Sequence, residues 1–485
     1  MNDPDMLFFR RPVVFLLFAG LVVHLGVVMT AAARTGSLDG YAFRSLDCTE
    51  FYGLARNLVD QGEFTDASDT LPKPNTWRTP GYPAFLAIFI ALLGESPTML
   101  VGIQQALSIV NVLLLFLIAR SHMNDRRAMV AGLFFLIEPY HLYYSLWLQS
   151  TTLFVTAILV IWIVWRRTLS TGKTRWAALL GLLTGLTILI RPAAAFIPVV
   201  LLGGLLVAKL RARKPDSSVA GTSASWLAAC KTGLPCAVFV AACFAPVGGW
   251  MLRNHRVAGH FALSDQAGVV LAYFKSTEVE LWRQGRVADR YIETSLNPDR
   301  YDEPHTVWDE IDRELREKFP SLTPTQRASL SWRTLAQGNR SQLDSFEVSS
   351  ALSEIGLSRL AAHPLSTALC YLVRCGSMLT FPLNLAIHPP TGEERNRFVD
   401  AGMGWLYLLL CLIALARLIR ERMTQASLFA GAHAYFPLAV TIALLLATTP
   451  QIDPRFRVPM IPLLIVMAML PRPVQKPDLA RGQRA

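Results

Sequence analysis

Repeated apolar runs most constrain the fold of this chain. Hydrophobic residues make up 52% of the sequence and charged residues only 17%, against about one quarter charged in an ordinary soluble domain. A helix needs roughly 20 apolar residues to cross the hydrocarbon core. The sequence therefore predicts an all-α polytopic membrane protein with about ten transmembrane helices. The predicted spans are Pro12–Ala32, Thr98–Ala119, Ala128–Tyr144, Leu146–Trp165, Trp176–Ile190, Ala193–Ala208, Thr232–Met251, Met403–Ala416, Ala426–Thr448 and Val458–Leu470.

The basic residues predict the orientation of these spans. The net charge of +11 is concentrated at the ends of apolar runs, which is typical of cytoplasmic loops rather than of nucleic-acid binding. With ten crossings the basic clusters all fall on one side, and both termini are cytoplasmic. This orientation requires that two other apolar segments, Tyr82–Leu93 and Leu365–Ile387, do not cross the membrane. We expect them to be interfacial helices.

The predicted domains follow from this topology. Residues 1–254 form an N-terminal membrane core with a first outer loop at 33–97. Residues 255–362 form an outer helical loop, residues 363–471 the C-terminal membrane helices, and residues 472–485 a polar cytoplasmic tail. Within the outer loop, apolar stripes predict helices at Val307–Phe319 and Glu347–Ala361. This loop is either a packed cap on the membrane domain or a wall of an acceptor cleft.

Several arginines fall at the outer ends of spans, where the topology predicts few basic residues. Long side chains can snorkel to lipid headgroups, which is the alternative for any single arginine. As a group they suit an anionic ligand, because the guanidinium fork matches phosphate oxygens. A phosphate presented at the outer leaflet implies a lipid phosphate. These arginines are Arg78, Arg191, Arg253, Arg256, Arg455 and Arg457.

Two acids in the first outer loop face this arginine group in the predicted topology. Asp47 and Glu50 open the helical pattern that runs through Phe51 to Leu58. Asp47 is either the N-cap of that helix or a functional carboxylate. A carboxylate near a helix N-terminus and near arginines keeps a low pKa and stays ionised. Such a group can accept a proton from an attacking hydroxyl.

An ordered set of motifs resembles the bacterial polyprenyl-phosphate-sugar glycosyltransferases of the protein O-mannosyltransferase and aminoarabinose transferase type. The set runs through nearly the whole chain. Its members are Asp47 with Phe51-Tyr52-Gly53-Leu54-Ala55-Arg56-Asn57-Leu58, Gln61-Gly62, Arg78-Thr79-Pro80-Gly81-Tyr82-Pro83, Gln104, Gly185 with Arg191-Pro192, Trp250-Met251-Leu252-Arg253-Asn254 with Gly259, and Arg455-Phe456-Arg457-Val458-Pro459.

The resemblance implies a membrane transferase of the glycosyltransferase C superfamily whose donor is a sugar on a polyprenyl phosphate. Asp47 matches the catalytic acid of the family, the general base of an inverting transfer, and Glu50 is the candidate second acid. Developing charge on the departing phosphate is stabilised electrostatically. The implied donor-phosphate ligands are Arg78, Arg191, Arg253, Arg455 and Arg457, and the other substrate-binding residues are Tyr52, Tyr82 and Gln104.

The chain departs from the family pattern at its acids. Cys48 follows Asp47 where the family often has a second acid. The outer turn that often carries a glutamate reads Leu148-Gln149-Ser150-Thr151-Thr152, with only Glu138 nearby. No cluster of His, Asp and Glu has ligand spacing, so we predict neither a metal nor another cofactor. The cysteines show no disulfide framework.

The leading functional prediction is therefore sugar transfer at the outer, periplasmic face of a bacterial inner membrane. The expected partners are a polyprenyl-phosphate sugar, membrane lipids and an acceptor that is a glycan, lipid or protein; nucleic acid is not expected. Two alternatives remain, a glycan ligase or polymerase with a lipid-pyrophosphate donor, and a transporter of lipid-linked sugars. Transporters often have repeated halves and midplane sites, whereas the unusual charges here lie at outer ends.

Overall fold

The protein is all-α throughout the part of the chain that the structure describes. This computed structural model describes residues 4–65, 73–212, 233–285, 305–332, 334, 345–380, 406–407, 409–417, 432–449 and 454–469. Within these ranges no strand occurs, and one isolated β-bridge joins Thr65 and Pro74. The predicted fold class is confirmed. The tail 472–485 lies outside the described residues, as do parts of several predicted spans and loops.

The N-terminal half is a succession of helices, and several of them follow one another after only a few residues. Pro97 and Pro139 begin two of them, at the first helical position, where a missing N–H has no intrahelical partner to lose. In chain order the helices are α1 (Pro4–Thr35), α2 (Asp39–Ala42), α3 (Leu46–Asp60), α4 (Gly81–Leu93), α5 (Pro97–Arg120), α6 (Asp125–Leu136), α7 (Pro139–Ser145), α8 (Thr151–Thr171), α9 (Thr174–Ile190), α10 (Ile197–Ala212) and α11 (Leu234–Ala258).

The remaining helices lie in residues 255–362, predicted as the outer loop and called the outer region below, and in residues 363–471, predicted as the C-terminal membrane helices. A π-helical stretch, Val270–Ser276, joins α12 to α13. The short α19 leads through one 3₁₀ turn, Val458–Met460, into α20. These helices are α12 (Gln266–Val269), α13 (Thr277–Arg283), α14 (His305–Glu317), α15 (Pro324–Ser329), α16 (Ser345–Ala362), α17 (Pro364–Thr380), α18 (Ala432–Thr448), α19 (Pro454–Arg457) and α20 (Ile461–Met469).

Four of the described helices are long and apolar enough to cross a membrane, and four others are shorter but apolar. These lengths agree with a polytopic protein, while the count of about ten crossings stays a prediction. The four long helical segments are Arg11–Thr35, Pro97–Arg120, Thr151–Thr171 and Leu234–Ala258, and the shorter ones are Gly81–Leu93, Thr174–Ile190, Pro192–Val207 and Phe436–Thr448.

The third predicted span, Ala128–Tyr144, is interrupted in the structure. Helix α6 ends at Leu136, and α7 begins at Pro139. The Glu138 side chain accepts hydrogen bonds from the first free N–H groups of α7, so this acid starts a new helix inside the apolar run. The next predicted span, Leu146–Trp165, also begins later, because its helical residues start at Thr151.

Helices α9 and α11 cross at very close range. A Cβ added at Gly181 would collide with the carbonyl oxygen of Phe239, and one at Gly185 would lie 2.7 Å from Pro246 Cγ. Glycines four residues apart on a transmembrane helix allow two backbones to approach closely. The crossing therefore holds together the outer ends of both helices, which carry Arg191 and Arg253.

The outer region has its own apolar core. Val307, Ile311 and Leu315 of α14 are fully buried together with Leu352 of α16, which confirms the helices and stripes predicted there. Trp308 donates from its indole N–H to the Tyr273 carbonyl at 3.1 Å. The region is thus a packed helical unit.

Helix α17 has the pattern of an interfacial helix. Leu365, Leu369 and Leu372 are exposed, whereas Arg374 is buried and ion-pairs with Glu278 of α13. An apolar outer stripe opposite a buried charge suits a helix that lies along a membrane surface. Residues 381–387 of the predicted segment lie outside the described residues.

The C-terminal helix lies at the centre of the bundle. Every residue of α20 from Ile461 to Ala468 is buried. A helix that is apolar on all sides belongs in a packed interior. The short helix α19 precedes α20, and Arg455 of α19 contacts the first outer loop at Asp47.

Candidate functional site

The first turn of α3 presents the two predicted acids. Leu46 begins the helix and Ser45 is its N-cap residue, so the alternative of Asp47 as N-cap is wrong. Asp47 and Glu50 are three residues apart and therefore lie on one face. Cys48 points inward, is fully buried, and lies 3.2 Å from the Ser45 hydroxyl.

Arg78 joins the two acids from the far end of the first outer loop. Its Nε donates to Glu50 Oε2 at 2.6 Å, and its Nη2 donates to Asp47 Oδ1. The guanidinium lies 5.0 Å from the ring centroid of Phe51. Asn75 Oδ1 accepts from the Arg78 backbone N–H at 2.8 Å, so both the backbone and the side chain of Arg78 are held.

Arg455 reaches the same carboxylate from the other end of the chain. Its Nη1 donates to Asp47 Oδ2 at 2.7 Å, so each oxygen of Asp47 accepts from a different arginine. The Asp47 side chain remains 27% exposed and that of Arg455 22%, so a ligand can reach this pair. Burial by itself would raise the pKa of Asp47, but the charges of Arg78 and Arg455 outweigh burial and lower it below the ordinary range.

Arg191 lies next to the turn that carries Arg455. Its guanidinium carbon is 4.9 Å from the ring centroid of Phe456 and 5.6 Å from that of Phe154. It follows the last residue of α9 in extended conformation. The structure thus brings Arg78, Arg191 and Arg455 to one region around Asp47.

Arg253 has a different environment from these three arginines. Its Nη1 donates to the carbonyl oxygen of Asn75 at 2.7 Å, and its Nη2 donates to that of Phe64 at 3.0 Å. The guanidinium also lies 4.8 Å from the ring centroid of Trp250. Arg253 therefore joins the two described stretches of the first outer loop that lie before residue 66 and after residue 72. Its predicted role as a phosphate ligand stays untested.

Arg457 is fully buried. Its guanidinium carbon lies 4.1 Å from the ring centroid of Tyr407 and 4.9 Å from that of Tyr140. The structure does not bring it to Asp47. A side chain with 0% exposure offers no surface to a donor phosphate in this conformation.

The other predicted substrate-binding residues differ in exposure. Tyr82 and Gln104 are fully buried, and the Tyr82 hydroxyl donates to Gln104 Oε1 at 3.0 Å. Both side chains therefore pack in the interior beneath the first outer loop and do not line an exposed surface. Tyr52 is partly exposed and packs edge-on against Phe43 at 5.2 Å, so only Tyr52 of this group has a surface for a ligand.

Two acids that carry structure here were not predicted as site residues from the sequence. Glu138 accepts from the hydroxyl of Tyr407 and from the backbone N–H of His141 at 2.6 Å. Asp265 accepts from the Thr76 hydroxyl at 2.9 Å. The usable signal for Glu138 was a charge followed by proline inside an apolar run; Asp265 had no local signal.

The site combines an ionised carboxylate with several guanidinium groups. An ionised carboxylate can accept a proton, and arginines can hold phosphate oxygens. Among the described residues, no group of three or more His, Cys, Asp and Glu side chains is placed to hold a metal ion. The site therefore has the chemical groups that base catalysis beside a bound anion would need.

The family model for dolichyl-phosphate-mannose-protein mannosyltransferases matches residues 77–250. This match confirms, over that part of the chain, the resemblance predicted from the motifs. It includes Arg78, Arg191 and the Gly181–Gly185 crossing, and it begins after Asp47. No curated protein sequence matches the chain.

Three solved structures share weak likeness with the chain. ArnT from Cupriavidus metallidurans bound to undecaprenyl phosphate is 13% identical with a TM-score of 0.38, covering 94% of this chain and 77% of that one. The Archaeoglobus fulgidus oligosaccharyltransferase tethered with an acceptor peptide is 14% identical with a TM-score of 0.40, covering 92% and 49%. AglB from Archaeoglobus fulgidus in complex with an inhibitory peptide and a dolichol-phosphate is 14% identical with a TM-score of 0.38, covering 92% of this chain and 50% of that one. The chain spans about half the length of the two archaeal proteins, and TM-scores below 0.5 carry no weight for function.

Proposed function

We propose that this protein is an integral-membrane glycosyltransferase. It transfers a sugar from a polyprenyl-phosphate donor to an acceptor hydroxyl at the outer, periplasmic face, with Asp47 as the general base. The observation that carries the proposal is the Asp47 carboxylate held between Arg78 and Arg455. The family match over residues 77–250 supports the same class of reaction.

The arginines explain why Asp47 remains ionised beside apolar surroundings. Their charges keep its pKa low, so the base is unprotonated at neutral pH. A low pKa also makes Asp47 a weak base in the resting site. When a donor phosphate draws Arg455 toward itself, Asp47 loses part of that stabilisation and becomes a better proton acceptor.

The same arginines suit the leaving group. Transfer breaks the bond between the sugar and the phosphate oxygen, and a second negative charge develops on the polyprenyl phosphate. A guanidinium can bind phosphate oxygens in bidentate geometry. Positive charge aimed at a developing anion lowers the barrier for its departure. Arg455 and Arg191, which meet at Phe456, are the residues placed to do this.

Glu50 has a supporting role in this mechanism. It accepts from Arg78 at 2.6 Å and so shares the charge of that arginine with Asp47. Removing Glu50 would leave Arg78 free to bind Asp47 alone. We therefore assign Glu50 to orienting Arg78, and Asp47 to proton transfer.

Mass spectrometry of envelope glycolipids, polysaccharides and glycoproteins tests the proposal. A deletion strain is complemented with wild type, Asp47→Asn or the control Asp60→Asn, which changes an exposed acid at the other end of α3. A sugar-sized mass that wild type and Asp60→Asn restore, but Asp47→Asn does not, is the expected result. Restoration by Asp47→Asn would refute Asp47 as the base, and an unchanged glycan profile in the deletion strain would refute the transferase.

A further inference from the structure

The short helix α19 directs three successive side chains to three different places. Arg455 donates to Asp47 at 2.7 Å, and Phe456 lies 4.9 Å from the guanidinium of Arg191. Arg457 points into the bundle, toward Tyr140 and Tyr407. Successive residues of a helix are rotated by about 100°. The rotation of this one turn therefore decides whether Arg455 meets Asp47.

The inward side chain of this turn is enclosed by aromatic rings and one carboxylate. Arg457 is 0% exposed, and its guanidinium carbon lies 4.1 Å from the Tyr407 ring centroid. The hydroxyl of Tyr407 donates to Glu138, with which Arg457 also interacts electrostatically. A buried cation is tolerated when rings and an anion compensate for its lost hydration.

The carboxylate in this cluster is itself held by backbone. Glu138 accepts from the N–H groups of Tyr140 at 3.2 Å and His141 at 2.6 Å, and it is only 2% exposed. It cannot swing toward solvent without breaking both bonds. Glu138 therefore holds a carboxylate at a fixed place near Arg457, and the Tyr407 ring lies between the two in the same cluster through its own hydrogen bond to Glu138.

We propose that Arg457 is a positioning residue that anchors α19 through Glu138 and Tyr407, so that Arg455 is held against Asp47. Arg457 then acts on the donor phosphate only through Arg455 and does not bind phosphate itself. This assignment replaces its predicted role as a phosphate ligand. It rests on the proposed function, because Arg455 matters for binding only if the site accepts a lipid phosphate.

Binding of undecaprenyl phosphate to purified full-length protein in nanodiscs tests this role, since the probe needs no knowledge of the sugar. We expect Arg455→Met and Arg457→Met each to weaken binding about tenfold or more, as loss of a hydrogen bond to a charged group does. The double variant Arg455→Met/Arg457→Met should bind undecaprenyl phosphate no more weakly than the single variant with the lower affinity. The control is Arg359→Met, which changes a paired arginine of the outer region. Losses that multiply in the double variant, or full affinity in Arg457→Met, would overturn the proposal.

A purely structural role would lower the folded fraction without changing the affinity of the folded protein, so affinities are measured on monodisperse protein. If Arg457→Met does not purify in that form, Glu138→Gln makes the same test, because it removes the negative charge of the cluster in which Tyr407 contacts Arg457. Glu138→Gln combined with Arg455→Met should then also be non-additive.

Hydrogen exchange of the peptide covering residues 454–460 separates this proposal from the proposed function. We expect faster exchange in Arg457→Met and wild-type exchange in Arg455→Met, because only the former loses the anchor. If wild type does not bind undecaprenyl phosphate but exchange rises in Arg457→Met alone, the proposed function fails and the anchor stands. Unchanged exchange in Arg457→Met would overturn the anchor.

Discussion

Replacing Arg253 with methionine should open the first outer loop. The change removes two hydrogen bonds to loop carbonyls, those of Asn75 and Phe64, together with a bond to the neighbouring Asn254 Oδ1 and the contact with the Trp250 ring. Hydrogen bonds to a charged group contribute about 1.5–3 kcal/mol each, and a cation–π contact about 0.5–2 kcal/mol. Because Arg253 is only half-buried, water replaces part of the loss, and we expect a local destabilisation of about 3 kcal/mol.

A local loss of that size is measurable by hydrogen exchange. About 3 kcal/mol corresponds to roughly a hundredfold faster exchange for amides that exchange through loop opening. The effect should be confined to the two segments that Arg253 contacts, around residues 61–65 and 73–80. Affinity for undecaprenyl phosphate should also fall, because Arg78 lies in the second segment. The matched control is Arg256→Met, which removes an exposed arginine from the last turn of α11, three residues after Arg253.

The refuting result is specific. If Arg253→Met weakens undecaprenyl phosphate binding while the 73–80 peptide exchanges at the wild-type rate, Arg253 contacts the phosphate directly. The assignment of its guanidinium to the loop carbonyls would then be wrong. Equal effects of Arg256→Met on exchange would show that loss of positive charge, rather than loss of the two hydrogen bonds, opens the loop.

Three further predictions concern packing and charge. Gly185→Ala should lower the thermal stability of the purified protein, whereas Gly248→Ala, in open space, should not. Burial raises the pKa of Glu278 from 4.5 to about 7, so the folded state binds a proton more tightly than the unfolded state does. Thermal stability should therefore fall as pH rises from about 4.5 to 7. Glu278→Gln should abolish that fall. Arg78→Gln should raise the pKa of Asp47, and the acid limb of the transfer rate should move to higher pH.

The sequence was sufficient to predict that several site residues share one side of the membrane domain. Hydropathy and basic loops predict Asp47, Arg78, Arg191 and Arg455 at the same ends of the spans, and the structure brings these residues together. Such patterns report the depth of a residue along a span. This depth depends on the local sequence, so it can be predicted from one amino-acid sequence.

The direction in which each arginine points was beyond the sequence. Arg455 and Arg457 have the same predicted depth, yet they are about 200° apart around a helix axis, and one meets Asp47 while the other is buried. Arg253 likewise meets carbonyls of a loop that lies far away in the chain. Packing between segments that are distant in sequence decides these directions, and it produces no periodic pattern in the sequence near either residue.

Glycine at position 81 gives the site an unusual sensitivity to volume. A Cβ there would lie 2.6 Å from the backbone nitrogen of Ile190, which immediately precedes Arg191, while Arg78 is only three residues before the glycine. A single methyl group would thus push apart two segments that carry guanidinium groups of the proposed phosphate site. In a mutational scan, Gly81 would therefore group with the chemically active residues, although it has no side chain with which to touch a substrate.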